Sequence, residues 1–164
     1  MRRRRLWQAG ACLLAVPAGV LAHGARAGTL RIDHPYALPT EAGVDVGAVY
    51  LRGLRNEGSL PDRLLAASTP AASRVQILRR QAVDGTAQAH VVPDLPLPAG
   101  ASVPMRHDGT EGYHLVLRDL HAPLRAGARF PLRLRFERAG EHEVTVWVQA
   151  PRTASQGAGR HDGH

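Results

Sequence analysis

The chain has 164 residues, 21 basic against 14 acidic side chains, a formal charge of +7 and a single cysteine. One cysteine excludes an intramolecular disulfide, a four-cysteine zinc site and an iron–sulfur cluster. Aromatic residues make up only 4% of the chain, which argues against stacking platforms for single-stranded nucleic acid. At 44% hydrophobic, a chain of this length suffices for one domain with its own core.

The amino terminus reads as an export signal over residues 1–27. Arg2, Arg3, Arg4 and Arg5 form a positive start, Leu6–Ala22 is uncharged and mostly apolar, and Ala25-Arg26-Ala27 offers a small-x-small cleavage site. The apolar run contains Gln8, Gly10, Pro17 and Gly19 and is short for a membrane span. Cys12 lies inside that run, whereas a lipid-bearing cysteine would follow it. Cleavage near Ala27 removes five arginines and no acid, so the remaining 137 residues carry +2 and no thiol. The expectation is a periplasmic protein, monomeric, with no membrane span after cleavage and no field broad enough for a nucleic acid.

From Thr29 onward the pattern is short alternating runs broken by Gly, Pro, Asn and Asp. Val49–Arg55 reads as a strand stopped by Asn56-Glu57-Gly58. Arg63–Ala67 and Arg74–Leu78 are two more, separated by Pro70. Val83-Asp84-Gly85-Thr86 predicts a tight hairpin turn, since Asp-Gly suits positive φ angles. Phe130–Glu137 alternates apolar and charged, turns at Ala139-Gly140, and returns as Val144–Val148. In that hairpin Phe130, Leu132, Leu134 and Phe136 face the core and Arg133 and Arg135 face out. No segment keeps a helical apolar stripe, so the chain predicts an all-β antiparallel sandwich or barrel of about eight strands. Residues 28–150 form this domain, and 151–164, rich in Gly, Ser, Arg and His, read as a disordered tail.

Several segments, in order, resemble one family, the periplasmic copper chaperones called PCu(A)C. They are Asp33-His34-Pro35-Tyr36-Ala37, Gly47-Ala48-Val49-Tyr50-Leu51 with Asn56-Glu57-Gly58, and Asp62–Ala72 with Arg74-Val75. Asp84-Gly85, Leu97-Pro98-Ala99-Gly100, Gly112-Tyr113-His114-Leu115 and Pro123-Leu124-Arg125-Ala126-Gly127 complete the set. The resemblance implies a cupredoxin-like β-sandwich that binds copper, as Cu(I) or Cu(II), and passes it to a copper-accepting periplasmic or membrane-bound protein in cytochrome oxidase assembly.

In that family copper is held by a His or Met, a later Met, and then a His-x-Met, soft and borderline donors suited to Cu(I). Carried over by position, these ligands fall on Leu78, Ala89, His114 and Val116. Only His114 has a ligating atom, so the usual site is degenerate. Met105 and His107 would approach His114 if Val103–Arg106 paired with Gly112–Leu117; otherwise Met105 fills the core and His107 is a surface histidine. His90 neighbours Ala89 but would point to the opposite face. In the tail, His161-Asp162-Gly163-His164 places two imidazoles and a carboxylate together, either a weak Cu(II) capture segment or a solvated end.

Catalytic signatures are missing: there is no nucleophile elbow, zincin motif, P-loop or dinucleotide fingerprint. Glu141-His142-Glu143 reads as a solvated hairpin tip, and Arg74, Arg79 and Arg80 as a charged, blunted sheet edge. His34, His121 and His142 read as surface residues. The sequence therefore describes a non-enzymatic copper-chaperone-like protein with a degenerate or relocated metal site at His114, Met105, His107, His161 and His164. The alternative is a metal-free periplasmic interaction module on the same sandwich.

Overall fold

Alternation of apolar and polar residues dominates the chain, and it is realised throughout as strand. The structure, a computed structural model, describes residues 25–150. It contains eleven strands: β1 (Ala25–Ala27), β2 (Leu30–Ala37), β3 (Val46–Asn56), β4 (Asp62–Ser68), β5 (Ala72–Val83), β6 (Thr86–Val92), β7 (Leu95–Leu97), β8 (Ser102–Met105), β9 (Gly112–Leu120), β10 (Arg129–Phe136) and β11 (Gly140–Val148). No helix occurs among the described residues. The export signal up to residue 24, with Cys12, and the tail 151–164, with His161 and His164, lie outside the described residues.

Hydrogen bonding links the strands in the order β6-β5-β9-β3-β2-β11-β10-β4-β7, with β1 also on β2 and β8 also on β3. All pairs are antiparallel except β2 with β11. The sheet folds over on itself as a sandwich around a core that includes Leu51, Leu54, Leu115, Leu117, Leu132 and Val146. The strands beyond the expected eight include β1, β7 and β8, of three or four residues each. Runs that short carry no readable alternation.

The β10–β11 hairpin follows its sequence pattern. Phe130, Leu132, Leu134 and Phe136 are buried while the residues between them are exposed; each such burial is worth roughly 1.5–3 kcal/mol. Glu141-His142-Glu143 is not a hairpin tip. Those residues lie within β11, where Glu143 faces Arg133 and Glu141 faces Arg135. Gly140, at a φ of 79°, lets the chain turn one step earlier than the acidic cluster. In the β5–β6 hairpin Asp84 and Gly85 both take positive φ, 51° and 76°, as the tight turn requires. Here the sequence reading is extended: the β5 strand runs on to Val83 rather than ending at Leu78.

The charged-edge reading is corrected for Arg79 and Arg80, which lie where β5 is flanked by both β9 and β6, so that β6 is the edge there. Arg74 precedes the part of β5 that β6 covers and is paired on the β9 side alone, opposite Arg118. Ala25–Ala27, the small-x-small segment that the sequence reading assigns to the leader, forms β1, pairs with Leu30–Ile32 and buries Ala27 in the core. The sheet therefore begins before the expected domain start at residue 28.

Several family-like segments have a clear structural purpose. Asn56 is fully buried at the end of β3; its amide donates to the carbonyls of Leu60 (2.8 Å) and Leu97 (3.0 Å) and accepts from the Gly58 N–H (3.0 Å). It thereby ties Asn56-Glu57-Gly58 to the Leu97–Gly100 turn. Asp62, also buried, accepts from the backbone N–H groups of Arg138 (2.9 Å) and Ala139 (3.0 Å), locking β4 to the β10–β11 turn. Replacing Asn56 with Ala leaves the Leu97 carbonyl buried without this donor. Equilibrium urea unfolding should show a loss of about 1–3 kcal/mol for Asn56→Ala; a change near zero would remove Asn56 from the framework.

Candidate functional site: the outer face of the sheet

In a strand that packs its core on one side, every second residue points away. In β9 the core-facing residues are Leu115 and Leu117, which leaves His114 and Val116 on the outer face. In β3 the alternation puts Val49 and Leu51 inside and Tyr50 outside. The register then builds a row. Trp147 pairs with Tyr36, Tyr36 with Tyr50, His114 with Leu78, and Leu78 with Val91. Tyr50 and His114 close the gap by stacking, with ring centroids 5.8 Å apart and planes 21° apart. Six side chains from six strands thus run across the outer face.

The middle of this row is enclosed although it lies outside the core. Tyr36, His114, Leu78 and Val116 are all less than a tenth exposed, whereas the ends, Trp147 and Val91, are 46% and 55% exposed. The β8–β9 loop folds over the tyrosines. His107 Nδ1 lies 2.9 Å from the Tyr36 hydroxyl, which also accepts the His107 backbone N–H at 3.3 Å. The His107 ring meets both Tyr36 and Tyr50 edge-on, with centroids 5.9 and 5.8 Å away. Arg80, reaching from β5, donates to the backbone carbonyls of His107 (2.9 Å) and Arg106 and so clamps the loop. Beside Tyr36 the same loop borders a cleft of about 660 Å³ lined by Leu38, Arg52, Arg106, His107 and Gln149.

Of the sequence-predicted site residues, His107, His114 and Met105 have a place, while His161 and His164 lie outside the described residues. His107 and His114 come to one cluster, both packed on the Tyr50 ring. Met105 does not join them: β8 pairs with β3 rather than with β9, Met105 opposes Leu51, and its side chain is 0% exposed in the core. The pairing of Val103–Arg106 with Gly112–Leu117, the condition for Met105 to approach His114, is not formed, and Met105 takes the alternative place as core filling. Ala89 shares the outer face but opposes Arg80, while the residue opposite Leu78 is Val91. His90 opposes Arg79, a neighbouring residue pair that points to the other face. His121 is held between the Pro70 carbonyl and Ser73, and His142 against the Ala139 carbonyl.

This donor set does not fit the copper site that the resemblance implies. Leu78 opposes His114 and Val116 follows on the same face, and neither carries a donor atom. Among the described residues, no three His, Cys, Asp or Glu side chains gather as a metal-holding group. Sequence reasoning missed Tyr36, Tyr50 and Arg80. The signal was available for Tyr50, which lies between the core residues Val49 and Leu51, but not for Tyr36. Tyr36 shares the parity of Leu30 and Ile32 and faces out only because the alternation of β2 reverses around His34, where φ is 44°.

Burial, seconded by the positive charge of Arg80, lowers the His114 pKa below the usual 6.5. Burial also raises the Tyr50 pKa above 10, against the opposing pull of Arg80. His114 Nδ1 and Arg80 Nε are buried without a hydrogen-bond partner among the described residues. A cationic imidazole there would face Arg80 without compensation, so the neutral ring is the folded form. Since the unfolded chain protonates His114 first, stability is complete above pH 6.5 and falls as the pH drops below that value. NMR titration should give His114 a midpoint below 6.5, and His114→Gln should flatten the acid slope of stability; a midpoint at or above 6.5 would contradict the burial argument. Gly112 opens β9 with a φ of 117°, and a Cβ there would meet the Pro104 carbonyl oxygen at 2.5 Å. Gly112→Ala should therefore lower the thermal midpoint and shift the His107 and His114 resonances together, while an unchanged protein would show that the loop base tolerates a side chain.

The fold recurs in solved structures. The apo PCuAC domain from PmoF1 matches with a TM-score of 0.65 at 22% identity, over 79% of this chain and all of that one (100%). The copper-bound PCuAC domain from PmoF2 matches with a TM-score of 0.64 at 25% identity, over 79% of this chain and 99% of that one. Apo-DR1885 from Deinococcus radiodurans, a solution structure, matches with a TM-score of 0.58 at 21% identity, covering 92% of this chain and 98% of its own. No curated protein sequence matches. The architecture is thus the PCuAC-type, cupredoxin-like sandwich. The LpqE-like lipoprotein family matches residues 30–148, most of the chain, and the protein accordingly belongs to that family of exported, periplasmic proteins.

Proposed function

We propose that this protein is a non-enzymatic periplasmic interaction module that uses the PCuAC-type sandwich to contact another protein rather than to carry copper. The observation that supports this most is the composition of the outer face. Where the resemblance places four copper ligands, this chain has Leu78, Ala89, Val116 and a single imidazole, His114, stacked on Tyr50 and shielded from water. An apolar and aromatic row with exposed ends suits protein contact. Among the described residues no helix is long and apolar enough to cross a membrane. The domain of residues 28–150 would supply this face, and the tail 151–164 would follow it.

Anaerobic titration with Cu(I) against a competing chelator tests the proposal. The processed protein should withdraw no metal, and His114→Ala should behave identically; stoichiometric withdrawal that disappears in His114→Ala would overturn it.

A second reading, copper delivery through a relocated site, draws on the copper-bound state of the PmoF2 domain. Its donors would be His107 and His114, assisted by His161 and His164, and its recipient a copper-accepting protein of oxidase assembly. Two imidazoles on a tail would bind Cu(II) only weakly. If that reading holds, a chain ending at Gln149 should bind Cu(II) several-fold more weakly than the full processed chain. Equal affinity would remove the tail from any metal role.

A further inference from the structure

The strand order has two ends, and they are treated differently. At one end β7 is three residues long, contains Pro96, and lies beside the ion pairs of Arg63 with Asp94 (3.3 Å) and with Glu137 (3.5 Å). Shortness, proline and charge are the devices that keep a sheet edge from pairing with another chain. At the other end β6 has none of them. It is seven residues long, Thr86-Ala87-Gln88-Ala89-His90-Val91-Val92, carries no Asp, Glu, Lys or Arg, and pairs one-to-one with β5 from Ile77–Val92 to Val83–Thr86 without a bulge. It is exposed along its length, with only Val92 partly covered.

We infer that the free edge of β6 pairs antiparallel with β6 of a second copy of this chain, giving a two-fold symmetric dimer with one sheet continuous across both. The register that pairs the whole strand is symmetric about its middle residue, Ala89. It sets Ala89 against the partner's Ala89, Ala87 against the partner's Val91, Gln88 against the partner's His90, and Thr86 against the partner's Val92. Ala87, Ala89 and Val91 all lie on the outer face with Leu78. Their apolar surfaces therefore meet across the two-fold axis, and Val91, 55% exposed, becomes covered. On the opposite face, the Gln88 amide and the partner's His90 imidazole are mutual hydrogen-bonding partners.

The sequence of β6 favours a second copy over a charged partner segment. Self-pairing places no like charges opposite each other, and an uncharged strand offers nothing to select an acidic or basic one. The nearest cations are also far enough apart. Arg80 opposes Ala89, so the two copies of Arg80 would be separated by three strand spacings. That is about 14 Å, beyond the screening length of about 8 Å at physiological ionic strength. One seven-residue strand pair is a small interface, so the dimer is concentration-dependent and reversible. The inference does not depend on whether copper is bound.

Sedimentation of the processed protein recovered from the periplasm tests it. The weight-average mass should rise with concentration from one chain towards two. Ala89→Lys and Ala89→Glu, each placing like charges directly across the axis, should weaken self-association at least about tenfold. An equal mixture of the two should recover a one-to-one dimer. In a chain whose only cysteine has left with the leader, Ala89→Cys should also oxidise to a disulfide-linked dimer at least about tenfold faster than Thr86→Cys, which opposes Val92 in this register. A wild-type protein that stays single-chain at every concentration would overturn the proposal. So would an Ala89→Lys variant that associates like wild type, a mixture that stays single-chain, or equal cross-linking of the two cysteine variants.

Discussion

The double pairing of β9, with β3 on one side and β5 on the other, is the constraint from which the rest of this structure follows. Antiparallel register fixes which side chains share a face, and a slip of one residue would exchange the two faces completely. With Val49 opposite Leu115 and Leu115 opposite Ile77, the buried apolar residues of three strands converge on one core. The same pairing leaves Tyr50, His114 and Leu78 abreast on the other side. Core and outer row are therefore two consequences of one register. A domain without cysteine has no covalent alternative for holding that register.

The outer face is more than a by-product of pairing. Sheets that pack on one side usually leave the other to polar residues and water. Here the middle of the outer face is enclosed by the β8–β9 loop, which Arg80 and Tyr36 hold in place through polar contacts. The result is a second, smaller enclosed cluster in which an imidazole is kept neutral by its surroundings. A buried histidine with an unpartnered nitrogen is costly in a purely structural setting, which is why this cluster, rather than the larger core, is where function is to be sought.

How legible these features were depends on how local their causes are. The β10–β11 hairpin could be read directly, because alternation over eight residues and a glycine turn determine it without help. The tight turn at Asp84-Gly85 was equally local. The short strands β1, β7 and β8 were not legible, since they exist only because longer strands offer them a free edge. Met105 illustrates the same limit. Beside His107 in sequence it looked like a candidate donor, yet pairing of β8 with β3 turns it into the core. Glu141–Glu143 looked like a turn because acids cluster there, but the turn obeys Gly140 instead.

What the sequence alone determined was the class of protein: an arginine run and the one cysteine near the start, a cysteine-free and nearly neutral stretch after residue 27, strand-forming alternation, and the loss of three of four expected ligands at Leu78, Ala89 and Val116. Those properties depend on residue identity and short-range pattern, which need no partner strand to be read. Only the tertiary structure decided that Trp147, Tyr36, Tyr50, His114, Leu78 and Val91 form one row, that Arg80 clamps a loop over it, and that the uncharged β6 rather than the arginine-bearing β5 is the edge. The reason is physical: these relations join residues far apart along the chain, and strand order and register are set by packing of the whole sheet, not by any segment within it.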